Sequence, residues 1–458
     1  MEDILLALSN GTWHKDPGTI SILLLTVLAF LVPMIYVYPP FPPRESDALA
    51  ETHSKVGLEP SAAKPGLRAA QALPSDVLSA GPPRVQSLWI YPVKSCAGIE
   101  LDRSVVLPSG LEFDRLFTLA QLKSPFPVRL DSDADEKSRH GWEFITQRQF
   151  PALANVRVEL WRPDRAKCER RGEKIRESYL ILRFPWMEEG FRGTLAWVAA
   201  KTLRGVDARP EKEIMLPVEF PSEADIRNKD YKYENVKIWK ETVTALNMSS
   251  ELSDELQRYL GVSNKLALFR IDPDKLREVY RGAPTSEVAG YQPVTGFQDA
   301  SFNQFPLHLL NLSSVRDLNE KVSQDENLKT LDARRFRANI ILTGLPPYEE
   351  EKWKSIQLVS DGKSSEETAE FDVSCRTVRC KMPNVNPDNG IKHEKEPDHA
   401  LRKYRNVDEG APLNGCLGMQ LTPMFKMTGS RVLELESTVK IGMEVKVKGL
   451  GSHKYIKQ

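Results

Sequence analysis

The chain has 458 residues, of which 41% are hydrophobic and 28% charged. It is therefore long enough for two domains and apolar enough to bury their cores. Lys+Arg and Asp+Glu both total 63, a balance that argues against a nucleic-acid binder, whose contact face brings a basic surplus.

A short tail, residues 1–18, opens the chain. No charged side chain occurs from Pro17 to Pro43, and Thr19–Tyr38 reads TISILLLTVLAFLVPMIYVY. At about 1.5 Å per residue this run spans a hydrocarbon core of roughly 30 Å. A transmembrane helix is expected over 19–38, with Pro33 tolerated inside it and Tyr36 and Tyr38 at an aromatic belt. The stretch is long for the apolar core of a signal peptide, and no small-residue cleavage site follows it directly. Lys15 precedes it, whereas Arg44, Lys55, Lys64 and Arg68 follow it. The excess of cations on the C-terminal side places the body in the cytosol. Residues 39–83, rich in Pro and Ala, predict a semi-extended linker.

From Arg84 onward short strand-like runs recur. Val156–Leu160 alternates, and Tyr179–Phe184, Val236–Met248 and Leu266–Ile271 are further strand candidates. Helical spacing marks Leu195–Leu203, closed by Gly205, and Leu252, Leu256 and Leu260, closed by Gly261. Ser314 with Asp317 has the form of a capping box opening a helix. Ile340–Leu342, Ile356–Val359, Val432–Leu435 and Val439–Val447 return to strand patterning. Trp161–Ser178 holds seven basic and four acidic residues and reads as a solvated hairpin tip. The expected fold class is mostly β with some α. Two β-barrel-like domains, 84–285 and 286–450, form one body, and the boundary falls near Arg281–Pro293.

Five cysteines, Cys96, Cys168, Cys375, Cys380 and Cys416, are too few and odd in number for a disulfide framework, which favours a reducing compartment. Cys380 is bracketed by Arg376, Arg379 and Lys381. Cations favour the thiolate, the form that binds metal. A zinc site lacks a second Cys pair, and His393 and His399 are poorly spaced for one. In isolation a cysteine is more often a small buried hydrophobe. Lys94, Ser95, Arg115, Arg337 and Asn339 sit in turn-like or strand-entering segments, and their donors suit a phosphate or a heterocycle edge. With one soft thiolate, such a set is compatible with an anionic, sulfur-rich metal cofactor.

The order of motifs resembles MOSC-domain proteins that carry the N-terminal MOSC-associated β-barrel domain. YPVKSCAGIEL (Tyr91–Leu101), GLEFDR (Gly110–Arg115), FITQRQFPALANV (Phe144–Val156) and FRIDP (Phe269–Pro273) resemble the first domain. FQDASFNQFPLHLLNLSSVRDLN (Phe297–Asn319), RFRANIILTG (Arg335–Gly344) and VRCKMPNVNPDNG (Val378–Gly390) resemble the second. Within that family the chain is similar to the mitochondrial amidoxime-reducing components, which have a membrane anchor before the two-domain body. The resemblance implies a molybdenum cofactor with Cys380 as metal ligand. Lys94, Ser95, Arg115, Arg337, Asn339 and Arg379 would hold its pterin and phosphate. It also implies an oxidoreductase that reduces N-hydroxylated, amidoxime-type substrates at the mitochondrial outer membrane. Electrons would come from a b-type cytochrome and its flavin reductase, since the chain has no flavin or nicotinamide fingerprint. A sulfur-carrier or cofactor-sulfuration protein and a non-catalytic cofactor-binding module are the competing readings. Two positions depart from the family pattern: Cys375 and Cys380 lie five apart, and Leu417 stands where a Tyr is expected. Lys123–Gly141 and Trp161–Ser178 read as insertions.

Overall fold

The computed structural model describes residues 17–37, 45–59, 66–74, 81–124, 140–298, 304–360, 367–425, 427–428, 431–432 and 434–456. Two compact units divide them. One comprises residues 1–51 and 186–211, and the other 52–185 and 212–458.

The first unit contains helix α1 (Pro17–Val37), which covers most of the expected membrane span. Its described side chains run unbroken from Ile20 to Pro33 and are exposed. Among the described residues no helix is long and apolar enough to cross a membrane, so the expected span is not met there. Tyr38 and residues 39–44 lie outside the described residues.

The linker expected over 39–83 needs correction. Strand β1 (His53–Val56) pairs antiparallel with a later strand. Helix α2 (Leu67–Gln71) buries Leu67 and Ala70. These two side chains, three apart and so on one helix face, enter a core with Trp89, Leu310, Leu312 and Val315. Pro- and Ala-rich composition did not prevent docking, because a single helical turn supplied enough apolar contact.

The larger unit is mixed α/β and contains two closed barrels. Next in the chain come β2 (Arg84–Ile90), β3 (Phe117–Lys123), β4 (Gly141–Phe144), β5 (Arg157–Pro163), β6 (Tyr179–Pro185) and β7 (Glu211–Pro217). They are followed by β8 (Lys232–Ile238), β9 (Glu241–Asn247) and β10 (Leu266–Arg270). Strands β8, β9, β10, β3 and β4 form the first barrel, closed by parallel pairing of β4 with β8. Its interior holds Trp142, Phe144, Val236, Ile238, Ala267 and Phe269. Strands β1, β5, β6 and β7 form a separate four-stranded sheet. Helix α3 (Arg165–Arg171) fills the connection read as a hairpin tip. Asp164 caps it by accepting from the backbone N–H groups of Ala166 and Lys167, and Gly172 closes it at φ +70°. Cap chemistry at both ends outweighed the charge of the stretch.

The second barrel uses β11 (Leu307–Asn311), β12 (Ile340–Thr343), β13 (Trp353–Val359), β14 (Thr368–Val378), β15 (Cys416–Met424) and β16 (Glu444–Leu450). Its seventh strand is β2, which pairs with both β16 and β12 and so closes the ring. A strand from the opening of the body therefore belongs to the barrel built from its end. Closure leaves neither barrel with an open edge. Most of the insertion expected at Lys123–Gly141, residues 125–139, lies outside the described residues.

The helix expected at Ser314 begins earlier, as α4 (Leu312–Asn319), capped by Asn311 rather than Ser314. Ser314 is instead buried, and its hydroxyl donates to Glu350 at 3.0 Å. The Asn311 amide donates to the other carboxylate oxygen at 2.9 Å. Burial outweighs these bonds and raises the Glu350 pKa from 4.5 to about 7. A carboxyl whose folded pKa is raised favours its neutral form, so its stabilisation is full below pH 4.5. That stabilisation is lost as pH rises to about 7. Glu350→Gln, which cannot ionise, is expected to flatten this dependence. Chemical denaturation at pH 5 and pH 8 should show the parent losing on the order of 3 kcal/mol more than the variant. Parallel pH profiles would refute the assignment.

Candidate functional site

The site forms where β2 leaves the second barrel. Strand β2 ends at Ile90, and Val93 then bridges in parallel to Phe117 at the start of β3 in the first barrel. The Lys94 N–H donates to the Phe117 carbonyl at 2.8 Å. Ser95 then turns at φ +67° and Arg115 at φ +52°. From the second barrel, Arg337 adopts φ +52° just before β12, and Arg379 follows β14. These left-handed conformations are uncommon for residues with a Cβ. Their occurrence at Ser95, Arg115 and Arg337 follows from the surrounding pairing.

Lys94, Ser95, Arg115, Arg337, Asn339 and Arg379 all line one cleft of about 540 Å3, counting the space that opens to solvent. Six of the seven residues singled out in the sequence therefore converge, although Lys94 and Arg379 are 285 positions apart by number (379 − 94). Lys94 is buried, and its Nζ donates to the Phe297 carbonyl at 2.8 Å. Arg115 pairs with Asp114, and its other contacts are Asn339 Oδ1 at 3.3 Å and the Arg337 carbonyl at 3.4 Å. Arg337 donates to the Cys96 carbonyl at 2.6 Å and lies 4.1 Å from the centroid of the Tyr91 ring. Arg115 lies 5.3 Å from the same ring. Arg379 donates to the Phe336 carbonyl at 3.0 Å and lies 5.2 Å from its ring. Burial lowers the Arg337 pKa to about 10, so the group remains a cation at neutral pH.

Asn339 lines the cleft and also braces it. It is fully buried, and its amide donates to the Trp89 carbonyl at 3.1 Å. Its Oδ1 accepts from the His308 N–H at 3.1 Å and from Arg115. The side chain is committed to joining β2, β11 and Arg115, so it frames the cleft.

Cys380 does not line the cleft itself. It is half-buried, between Arg379 and Met382, both of which do. Arg376, expected beside it as an activating cation, is engaged elsewhere, with Glu351 at 3.0 Å and Asp408 at 3.3 Å. The other four cysteines are buried, and no disulfide joins any of the five. Burial pushes the Cys96 and Cys416 thiols up to about 12. Among the described residues no group of three or more His, Cys, Asp or Glu side chains could hold a metal ion. Any metal at Cys380 would therefore depend on ligands supplied by a cofactor. Leu417 is buried in the apolar core with Leu310 and Leu401.

Several lining residues were not singled out in the sequence. Thr146, Gln298, His308, Phe336 and Gln420 also line the cleft. Thr146 Oγ1 and Gln298 Oε1 are buried without a hydrogen-bond partner, whereas the His308 imidazole meets backbone groups of Leu417 and Arg337. Thr146, Gln298 and His308 sat inside recognised motifs, but nothing in their spacing showed that they converge. Burial, then Arg379 and Arg115, holds the His308 imidazole well below its usual pKa, so it is uncharged. Gly418, at φ +80°, leaves it room, since a Cβ there would lie 2.5 Å from His308 Nε2.

Four cationic side chains, unpartnered polar atoms and a neighbouring thiol suit an anionic ligand with a polar heterocycle and a thiophilic metal. The residues present thus fit a molybdenum cofactor. Asn339→Ala is expected to cost about 2–3 kcal/mol in denaturant titrations, because it leaves buried backbone groups of Trp89 and His308 with fewer partners. A change below about 0.5 kcal/mol would show that the amide does not hold the frame together.

Residues 82–185 match the MOSC N-terminal beta barrel domain family, and residues 296–446 match the MOSC domain family. The chain is 24% identical over 324 residues to mitochondrial amidoxime reducing component 2 of Rattus norvegicus, covering 71% of this chain and 73% of the relative. It is 24% identical over 369 residues to mitochondrial amidoxime-reducing component 1 of Homo sapiens, covering 80% and 83%. It is also 22% identical over 369 residues to molybdenum cofactor sulfurase of Homo sapiens, covering 77% of this chain but 32% of the relative.

Proposed function

We propose that this chain, which carries the MOSC N-terminal barrel and MOSC domains, is a molybdenum-cofactor-dependent oxidoreductase acting on N-hydroxylated, amidoxime-type substrates. The observation that carries the reading is the cleft in which Lys94, Arg115, Arg337 and Arg379 converge with the unpartnered oxygens Thr146 Oγ1 and Gln298 Oε1.

In this reading the four cations hold the cofactor's phosphate and other anionic parts through charge-assisted hydrogen bonds. Cys380, as thiolate, is the protein's ligand to the metal. When bound, the cofactor supplies a two-electron metal centre able to remove oxygen from an N–O bond, with water as the other product. The chain's own residues bind it, orient it and keep it from bulk water. The buried, uncharged His308 offers no competing cation, and Asn339 keeps Arg115 aimed by fixing one guanidinium nitrogen. Electrons arrive from a separate b-type cytochrome and its flavin reductase.

The second reading, cofactor sulfuration, is favoured by the similarity to molybdenum cofactor sulfurases across about a third of their length. There Cys380 would carry sulfur instead of ligating metal.

Attachment to a membrane, and the mitochondrial outer membrane in particular, belongs to the same proposal. The support is a charge-free segment whose Leu24, Leu25, Phe30 and Val32 are exposed, together with the mitochondrial names of the relatives. Alkaline carbonate extraction of cell membranes is expected to leave the full chain in the pellet and to release a chain lacking residues 1–43. Full extraction of the complete chain would refute integral attachment.

Elemental mass spectrometry of the full chain, made where the cofactor pathway operates, tests the cofactor. Near-stoichiometric molybdenum is expected, lost in Cys380→Ser and kept in Cys168→Ser. Cys168 is the buried residue of α3, with its thiol donating to the Thr52 carbonyl, and does not line the cleft. Equal metal in both variants would remove Cys380 as ligand. Sulfur transfer by metal-free protein would favour the second reading.

A further inference from the structure

We infer that the helix Gly190–Arg204 lies along a phospholipid surface, as a second membrane contact in addition to the charge-free N-terminal segment. The inference rests on the membrane attachment proposed above and adds to it an element that lies on the bilayer.

Strands β6 and β7 are neighbours in one sheet. The Val218 N–H donates to the Ser178 carbonyl at 3.0 Å, and the Trp186 N–H to the Pro210 carbonyl at 3.1 Å, so the two strands run antiparallel and the connection is closed at its base. A short turn is enough to join such strands, yet residues 186–210 intervene. That excursion belongs to the compact unit that also holds α1.

A surface helix of a water-soluble body turns its apolar stripe inward. Here the pattern is reversed. Gly193, Ala199 and Ala200 are buried, whereas Phe191, Trp197 and Val198 are exposed, Phe191 by 77%. Phe191, Leu195, Val198 and Thr202 follow at helical spacing and share one face, which Trp197 borders. Met187 and Val206, on either side of the helix, are exposed as well.

Polar groups on that face are answered within the helix. Thr202 Oγ1 donates to the Val198 carbonyl at 2.9 Å, and Thr194 Oγ1 to the Gly190 carbonyl at 3.4 Å. Helix α1 treats its hydroxyls alike, since Ser21 and Thr26 donate to the Pro17 and Ile22 carbonyls, each at 2.8 Å. Where water is scarce, polar groups have to be satisfied inside their own segment. The helix sequence GFRGTLAWVAAKTLR has three basic residues and no acidic one, which suits anionic headgroups. Lys201 Nζ lies 5.9 Å from the centroid of the Trp197 ring, a pair whose apolar bodies and polar tips fit the headgroup level. At 15 residues the helix is too short to span a bilayer, so it lies along one. Lipid is favoured over a second copy of the chain because the apolar face shares its unit with the exposed apolar side chains of α1.

The test uses the full chain in vesicles of phosphatidylcholine and phosphatidylserine with plain or brominated acyl chains, and reads tryptophan emission. Subtracting the emission of Trp197→Phe from that of the parent isolates Trp197. Its emission is expected to be several-fold weaker with brominated chains, because bromine quenches at contact. Trp161 of β5, isolated through Trp161→Phe, is expected to emit equally in both. Replacing Phe191 and Val198 together, Phe191→Glu with Val198→Glu, should restore Trp197 emission in brominated vesicles. Equal Trp197 emission in both vesicles of the parent would overturn the inference, and a dimer abolished by Phe191→Glu would give the face to a second copy instead. Failure of integral attachment is read separately, by carbonate extraction. A chain kept in the pellet with Trp197 unquenched overturns the helix contact alone, whereas a chain released by carbonate with Trp197 quenched overturns the anchor and sustains the helix contact.

Discussion

The architecture depends on the passage of one segment between two barrels. Strand β2 closes the second barrel, and residues 91–96 then join the first. Along that short crossing lie Tyr91, Lys94, Ser95 and Cys96. Tyr91 presents its ring to Arg115 and Arg337, and its N–H donates to Asp114 at 2.7 Å. The Cys96 carbonyl receives Arg337. A cleft between two closed barrels follows, because neither ring can open to absorb the other.

Cationic side chains brought together in low dielectric repel and lose hydration, so they persist only where fixed dipoles answer them. Here Arg115 has a carboxylate, Asp114, while Arg337 and Arg379 have backbone carbonyls and aromatic faces. Carbonyls hold a guanidinium in place without neutralising it. The positive charge at Arg337 therefore remains available to an anion, and burial lowers its pKa only to about 10. Asn339 serves the same end from beneath, spending its amide on Trp89, His308 and Arg115.

Much of the secondary structure was legible in the sequence because local rules decide it. The run Val236–Met248, read as a single strand, is strand-forming but is broken by a turn at Trp239 and Lys240 into the end of β8 and the whole of β9. The apolar repeat ending at Gly261 became a helix with that glycine in the left-handed conformation. Local rules failed where a distant partner offered more. Ser314 gave up its capping role to Glu350, 36 residues away, and α2 formed in a segment whose composition suggested an extended linker because Leu67 found the core beside Trp89.

By itself the sequence determined the strand-rich body, the sparse cysteines and the uncharged N-terminal segment, while the resemblance to MOSC-domain proteins pointed to six residues of the cleft. Periodicity, composition and motif order are properties of neighbouring residues, and each of these features has a local signature. Only the tertiary structure decided which barrel owns β2, that Asn339 frames the cleft, that Arg376 is drawn away from Cys380, and that Gln298 and His308 face the same space. Those outcomes depend on which distant groups arrive to satisfy a donor or acceptor. No spacing along the chain records that.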